Sequence, residues 1–407
     1  MIAHLWKLIW NRKRANTLIL AELVAAFLVL AALSTSVSYY VWNARQPLGL
    51  SSDGVWVAGV GHGISRRLGT PPEQVAAAMA TGKQLLQVVK DLPEVEVVAG
   101  AMTGPFVSGQ SSTQTSDGDE IPVLGRGLTY NVDLFTDDFI KVLGLQVVRG
   151  RWFGRQDDGQ NYWPVVINEK MARDFFGDAD PVGQHIGTAN NKPARVVGVI
   201  AGYRQRGELA PPIRFLFRRY IPGDPEELPY DKLFVKARPG TTAAFQATLD
   251  RRLRAAAPRE WGFNVHYLPD IRAANRKVQL LPLIAAGIVA GFLMLMVVLG
   301  LTGVLWQNVT QRTREIGLRR AKGASRPYIY GQILGELMVM TTMAVLLGAV
   351  LMAHVPFLNL VDDMNATIYL TGGAAAALVM FLLTALCGYY PARLAARVQP
   401  ALALRTE

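Results

Sequence analysis

The sequence has one cysteine, Cys387, in 407 residues. That excludes a disulfide-stapled domain and a cysteine-based zinc site. Histidine is nearly as scarce. His4, His62, His185, His266 and His354 are scattered, and none begins an H-E-x-x-H pattern. There is no G-x-S-x-G nucleophile elbow and no G-x-x-x-x-G-K-[ST] phosphate loop. His62 and His185 read as solvent-facing or packed side chains rather than metal ligands. The acidic pair Asp157 and Asp158 lies in a Gly/Gln loop and reads as solvated, because calcium would require further oxygen ligands at loop spacing. No catalytic residue, metal site or bound cofactor is expected on this chain, so it is expected not to be an enzyme.

What the sequence has in quantity is apolar residues. They make up 51% of the chain against 18% charged, and the mean hydropathy is +0.21. That mixture fits membrane spans joined to a water-soluble domain. The net charge of +11 would raise nucleic acid as a partner for a soluble protein. Here the basic residues flank apolar runs, where membrane topology explains them, and no base-stacking motif or recognition helix accompanies them.

Four runs reach the roughly 20 residues of helix that a bilayer needs. The spans are placed at 17–43, 276–306, 328–355 and 367–390. A cleavable signal peptide is the rival for the first. Its apolar stretch is long for one, and Tyr39, Tyr40 and Trp42 follow like an interfacial belt instead of a small-residue cleavage pattern. Lys7, Arg12, Lys13 and Arg14 precede the first span. Arg312, Arg314, Arg319, Arg320, Lys322 and Arg326 stand between the second and third, and Arg393, Arg397 and Arg405 follow the fourth. The turn at 356–366 carries Asp362 and Asp363. The positive-inside rule then places both termini and the 307–327 loop in the cytoplasm, and residues 44–275 outside. The stretch 1–16 reads as an interfacial helix on the inner leaflet, in contact with membrane lipids, the alternative being a disordered tail anchored by Trp6 and Trp10. Residues 391–407 form a cytoplasmic tail.

The outer segment alternates short strands with short helices, an α+β domain of two lobes. Strands are expected at Val55–Val60, Val95–Ala101, Gln146–Arg149, Val165–Asn168, Arg195–Ile200, Phe215–Tyr220 and Lys232–Val235. A helix capped by Thr70, with Pro71 and Pro72 in its first turn, should run to Asp91. Further helices are expected at Glu169–Phe176, stopped by Gly177, and at Thr241–Ala256. Ser108–Glu120, rich in Ser, Thr, Gly and Gln, reads as a loop. Asp270 is placed as the cap of a helix that continues through Arg276 and Lys277 into the second span. Such a helix would join the outer domain rigidly to the membrane.

The run Gln307-Asn-Val-Thr-Gln-Arg-Thr-Arg-Glu-Ile-Gly-Leu-Arg-Arg-Ala-Lys-Gly-Ala-Ser resembles the cytoplasmic loop of MacB-like permeases of the FtsX superfamily. The segment from Tyr390 to Arg405 resembles their closing signature. Leu143-Gly-Leu-Gln-Val-Val-Arg-Gly-Arg-Trp-Phe, Val166-Ile-Asn-Glu-Lys-Met-Ala-Arg, Asp180-Pro-Val-Gly and Arg195-Val-Val-Gly-Val-Ile resemble their periplasmic core. The resemblance implies an ABC transporter permease of the bacterial inner membrane working by mechanotransmission. It would act as a dimer, with a second copy or a paralogous permease. A cytoplasmic ABC ATPase would carry the ATP and Mg, and a periplasmic adaptor and outer-membrane channel are further partners of this kind of protein. Export of a peptide, toxin or drug-like molecule is the first expectation. Regulation of a cell-wall hydrolase is the alternative, with lipoprotein movement or an ATPase-free sensor or scaffold behind it. Lacking a phosphate loop, and with a first span that begins too early to leave room for a nucleotide domain, the chain is expected to depend on a separate ATPase.

The residues that the resemblance assigns to ATPase coupling are Arg312, Arg314, Glu315, Ile316, Gly317, Leu318, Arg319, Arg320, Gly323 and Ala324. A short helix there would end at Gly323, with Ser325 and Pro327 starting the next. Ile316 and Leu318 would enter a groove on the ATPase, and the four arginines would meet its acidic rim. Read from the residues alone, these arginines also satisfy the positive-inside rule and nothing more. Glu22 and Glu336 lie inside spans, where a carboxylate is costly. Pairing with a basic residue near the inner surface is expected for them.

Overall fold

The computed structural model describes residues 13–64, 70–106, 112–115, 127–189, 192–221, 227–354 and 365–396. Residues 1–12 of the expected N-terminal interfacial helix, 356–364 of the expected turn and the basic residues after 396 lie outside them, whereas residues 13–16 already belong to the first long helix. The chain forms two compact units, 43–279 and a second assembled from 1–42 and 280–407.

The first unit is built on one mixed sheet. Its strands are β1 Val55–Gly61, β2 Val95–Ala101, β3 Ser112–Thr115, β4 Thr129–Phe135, β5 Val147–Gly150, β6 Trp163–Asn168, β7 His185–Ala189, β8 Lys192–Ile200, β9 Phe215–Arg219, β10 Lys232–Ala237 and β11 Gly262–Tyr267. Their order is β11-β1-β10-β2-β4-β9-β6-β8-β5, with β3 beside β4 and β7 beside β8. The pairs β4/β9 and β6/β8 are parallel, and the other pairs are antiparallel.

Strand alternation sends successive side chains to opposite faces. Trp56, Ala58 and Val60 pack with α2 (Pro72–Lys90) and α5 (Phe245–Ala256), whose Leu85, Val89, Leu249 and Leu253 are buried. Val165, Ile167 and Leu216 pack with α4 (Glu169–Phe176) through Met171, Phe175 and Phe176. Val55, Val57, Val166, Phe215 and Phe217 face the other way, onto a core shared by both halves that includes Phe135, Phe234 and α3 (Phe139–Leu143). The expected two lobes are therefore two halves of one sheet. They meet where β2 and β4 align through a single residue pair, Ala101 with Phe135.

Several local expectations need correction. Pro71, not Thr70, occupies the N-cap position of α2. Inside the expected Ser108–Glu120 loop, Ser112–Thr115 is a strand, because β4 offers it a free edge. α5 begins at Phe245, after a turn in which the Phe245 N–H donates to the Thr242 carbonyl at 3.0 Å. Asp270 lies within the first turn of its helix and is not the cap. The α4 boundaries match expectation. The Asn168 side chain accepts from the Met171 N–H at 3.1 Å as an N-cap, and Gly177 follows the last turn.

The second unit is helical. Its elements are α1 Lys13–Ala44, α6 Leu268–Gln311, α7 Thr313–Ala321, α8 Arg326–Ala353 and α9 Ala366–Ala396, of which α1 and α6 also extend into the sheet unit. Among the described residues, four helices (α1, α6, α8 and α9) are long and apolar enough to cross a membrane. α6 is one uninterrupted helix, with Pro282 inside it. Ile19, Leu23, Phe27, Leu301, Leu337, Met340, Ala376 and Met380 form the core of this unit. Close approach depends on small residues. A Cβ on Gly372 would stand 2.5 Å from the backbone of Thr35.

Candidate functional site

The short helix between the second and third apolar spans is set by its ends. At Arg312 the backbone leaves helical geometry, and the Thr313 hydroxyl donates back to the Val309 and Thr310 carbonyls at 3.1 and 2.9 Å. α6 stops there and α7 begins. At the other end Gly323 takes φ 97°, a conformation that favours glycine. The N–H of Gly323 donates to the Arg320 carbonyl and that of Ala324 to the Arg319 carbonyl, at 3.1 and 3.0 Å, the two bonds of a Schellman stop. Ser325 then caps α8, accepting from the Tyr328 N–H at 3.4 Å, with Pro327 in the first turn.

α7 is divided into two faces. Ile316 and Gly317 are buried, and Ile316 packs with Val309, Ile329 and Ala395, with Ala324 partly buried against them. The expectation that Ile316 enters a groove on a partner is thereby overturned, since its groove lies within this chain. Leu318 is 48% exposed, and Arg314 and Glu315 are exposed beside it. Residues 314, 315 and 318 share one side of the helix, as their spacing requires.

The arginines also divide. Arg312 Nη1 meets Glu336 Oε2 at 2.7 Å, with both side chains mostly buried. Gln332 Nε2 donates to the other Glu336 oxygen at 3.2 Å, and Gln332 Oε1 accepts from Arg319 Nη1 at 2.7 Å. Arg319 also pairs with Glu315 at 2.5 Å. Arg320 donates to the Ala396 carbonyl at 2.8 Å. Arg314 makes no ion pair among the described residues. This chain of polar groups borders a cavity of about 60 Å³ whose apolar side includes Ile19, Leu305, Ile333 and Met340. The pairing expected for Glu336 is thus made by Arg312. Glu22 differs, because its carboxylate packs against Gly300, where a Cβ would come within 2.4 Å of Oε1. Sequence reasoning missed Gln332, whose polar side chain one turn before Glu336 was the available signal.

The sheet unit holds charged groups that the sequence did not announce. Asp157 is buried, not solvated. It receives Arg151 through two bonds of 2.7 and 2.5 Å and the Gly154 N–H at 3.0 Å. Burial works to raise its pKa, but the hydrogen bonds from Arg151 and Gly154 outweigh it and hold the carboxyl below its ordinary value. Asp158 likewise has a partner, the buried Arg219, at 2.6 Å, and Arg219 also grips Asp137 at 2.7 and 2.8 Å. Asp133 accepts from the Thr103, Gly104 and Leu134 N–H groups at 3.2, 2.8 and 2.8 Å. It clamps the short junction between the two halves of the sheet. Burial pushes its pKa to about 7, more than those donors can hold down. Arg204 is 2% exposed and donates to the carbonyls of Asn43, Gln46, Glu208 and Ala210. Near it, Arg272 pairs with Glu208 at 3.2 Å, and Asn275 donates to the Arg206 carbonyl at 2.9 Å. The first turns of α6 are anchored to the sheet unit by these contacts. No group of three or more potential metal ligands occurs among the described residues.

The family model for the MacB-like periplasmic core domain matches residues 20–252, and that for the FtsX-like permease C-terminal matches 287–400. The chain is 28% identical over 274 residues to a macrolide export ATP-binding/permease protein MacB of Bdellovibrio bacteriovorus, covering 63% of this chain and 41% of that one. It is 25% identical to a pyoverdine export ATP-binding/permease protein PvdT of Pseudomonas syringae pv. tomato, covering 99% of this chain and 58% of that one. The chain thus spans about half the length of the curated relatives it matches. Among solved structures, the periplasmic region of MacB from Actinobacillus actinomycetemcomitans aligns at a TM-score of 0.36 and 16% identity, covering 57% of this chain and 96% of that one. With the periplasmic-core model alone matching more than half of the residues, the chain belongs to the MacB-like ABC transporter permeases of the FtsX superfamily, multi-pass proteins of the bacterial inner membrane.

Proposed function

We propose that this permease couples ATP hydrolysis by a separate cytoplasmic ATPase to motion of its periplasmic domain, for export of a peptide, toxin or drug-like molecule. The ATPase engages α7. The observation that carries this reading is the two-faced geometry of that helix. Arg312, Ile316 and Arg319 fasten it to α8, while Arg314 and Leu318 point outward. A helix held on one side and open on the other suits the transmission of a push. The uninterrupted α6 supplies the path, with its first turns anchored by Glu208 and Arg206 and its last turn leading into α7. Relatives named for macrolide and pyoverdine export favour export over regulation of a cell-wall hydrolase. In this arrangement the 307–327 loop and both termini are cytoplasmic, the permease pairs with a second copy or a paralogue, and ATP and Mg belong to the partner.

The test is recovery of an ABC ATPase with the tagged permease from native membranes. Arg314→Glu combined with Leu318→Asp should remove the ATPase and leave the permease in the membrane. Ile316 is left unchanged, because a change at that buried residue would disturb the permease itself. Undiminished recovery of the ATPase with the double variant would end the assignment of α7 as the contact. Absence of any ATPase from the wild-type sample would end the coupling reading as a whole.

A further inference from the structure

The sheet unit holds a cavity of about 320 Å³ that none of the features above uses. One wall belongs to the end of the sheet. Gly59 of β1 lies in register with Lys232 of β10 and with Asn264 of β11, and Val57 lies in register with His266. The other wall comes from the first turns of α6, through Ile271, Asn275 and Val278. Phe106 completes the lining.

The lining separates by chemistry. Val57, Phe106, Ile271 and Val278 give an apolar side. Lys232, His266, Asn264 and Asn275 give a side rich in N–H donors. Among the described residues no carboxylate lines the cavity, and neither Lys232 nor His266 forms an ion pair. Elsewhere in the same unit Asp157, Asp158 and Asp174 all have arginine partners. A lysine and a histidine facing an apolar wall, with no acid between them, therefore stand out from the electrostatic pattern of the domain.

Two backbone features keep the space open. Phe106 adopts φ 58°, a left-handed conformation uncommon for a bulky side chain, and its N–H is fixed to the Gln205 carbonyl at 2.9 Å. Strain of this kind concentrates at binding sites, where the surrounding fold enforces it. Gly59 has no side chain where a Cβ would strike the Asn264 amide oxygen at 1.9 Å. The bare strand lets Asn264 lie across the sheet and line the cavity.

We propose that this cavity binds an organic anion, a carboxylate carried on a compact apolar or aromatic body. The carboxylate meets Lys232, His266 and the Asn264 amide, and the body lies against Val57, Phe106, Ile271 and Val278. Charge-assisted hydrogen bonds fix the anionic end, and apolar contact holds the rest. The inference rests on the sheet unit alone and stands apart from the coupling role proposed for α7.

The experiment uses the full chain in nanodiscs of phosphatidylcholine, with empty nanodiscs as the blank. Equilibrium dialysis measures binding of 2-naphthoate, with 2-naphthylmethylammonium as the cation of similar shape. Saturable binding of the naphthoate, about tenfold or more tighter than that of the cation, is expected. Lys232→Glu should reverse that preference. Ala274→Trp, at an exposed α6 position on the cavity lining, should abolish binding of both. In the wild-type protein, naphthoate should also shift the ring resonances of His266, assigned by their loss in His266→Gln. No saturable binding to the wild type, equal binding of the cation, or His266 resonances unmoved at naphthoate saturation would each overturn the proposal. Because the first two outcomes are read on the unmodified chain alone, a variant that fails to fold cannot rescue it.

Discussion

The two units of this molecule solve the packing problem in different ways. In the sheet unit the largest fully buried side chains are Phe135, Phe139, Phe175, Phe215, Phe217, Phe234, Tyr203, Tyr230 and Arg204. The helical unit also buries Phe27, Ile19 and Leu23, but large side chains such as Ile284, Ile288, Phe292 and Leu299 point outward, each more than half exposed, and Gly372 and Ala376 sit at close helix contacts. Water drives the first arrangement, because an aromatic ring removed from water gains far more than a methyl group. Lipid cannot drive the second, because hydrocarbon is as apolar as leucine. Helices there associate by close contact, which small residues permit. The same reversal governs charge. The sheet unit buries several charged groups and pairs them. The helical unit gathers Arg312, Glu315, Arg319, Gln332 and Glu336 at one end of its spans.

This contrast can be tested by matched substitutions, of which Phe217→Ala should have the largest effect. It removes a ring packed against Phe135, Trp152, Tyr203 and Phe215. About 3–5 kcal/mol of stability should be lost, measured by denaturant unfolding of the sheet unit within the intact protein. The equivalent truncation of an outward ring, Phe292→Ala, should leave unfolding in detergent nearly unchanged. A similar cost for both would dissolve the distinction.

Glu336→Ala comes next. It strips Arg312 of its carboxylate in a mostly buried setting, where losing one partner costs up to about 3–5 kcal/mol. The thermal midpoint of the helical unit should fall, and Arg312→Met with Glu336→Leu should recover much of the loss. No recovery in the double variant would mean that the pair does more than neutralise itself.

A glycine pair gives a smaller and oppositely signed test. Gly372→Ala forces a Cβ against the Thr35 backbone and should destabilise by about 1–3 kcal/mol. Gly287→Ala meets nothing within 4 Å in this chain and should stabilise its helix by about 0.5–1 kcal/mol. Equal effects would show that small residues are not what sets the helix contacts.

Asp133 supplies a test by pH. Its folded pKa, about 7, lies above its ordinary 3.8. The folded state therefore binds the proton more tightly than the unfolded state does. This residue's contribution favours folding most below pH 4 and weakens as pH rises towards 7. Asp133→Asn should flatten the stability of the sheet unit across that window. Retention of the same slope in the variant would place the titration elsewhere. The smallest effect is expected at the exposed Lys141–Asp138 pair, where Lys141→Ala should change stability by about 0–1 kcal/mol.

Much of this was legible along the chain. Strand alternation at Val55–Gly61 and Trp163–Asn168 encodes two buried faces, and Asn168 and Gly177 mark both ends of α4. The Gly323–Ser325–Pro327 sequence marks the stop of α7 and the start of α8. β3 and β7 were not legible, because Ser112–Thr115 and His185–Ala189 become strands only where β4 and β8 provide edges. At the coupling site, a short helix with basic residues could be read from the sequence, but not which side of it would be buried. Ile316 and Leu318 look equivalent as apolar residues, and only the position of Ile329 and Ala395 separates them.

The sequence by itself determined the four apolar spans, the strand-rich domain inserted after the first of them, and the type of most elements. These follow from length and periodicity, which are local quantities. Only the tertiary structure decided that Arg312 meets Glu336, 24 residues away, and that Arg219 meets Asp137, 82 residues away. It also decided that Asp157 is buried and that Lys232 and His266 share a cavity. The physical reason is that a charge finds its lowest energy with whichever partner the fold brings within a few ångströms. That distance is set by strand order and helix packing, and not by spacing along the chain.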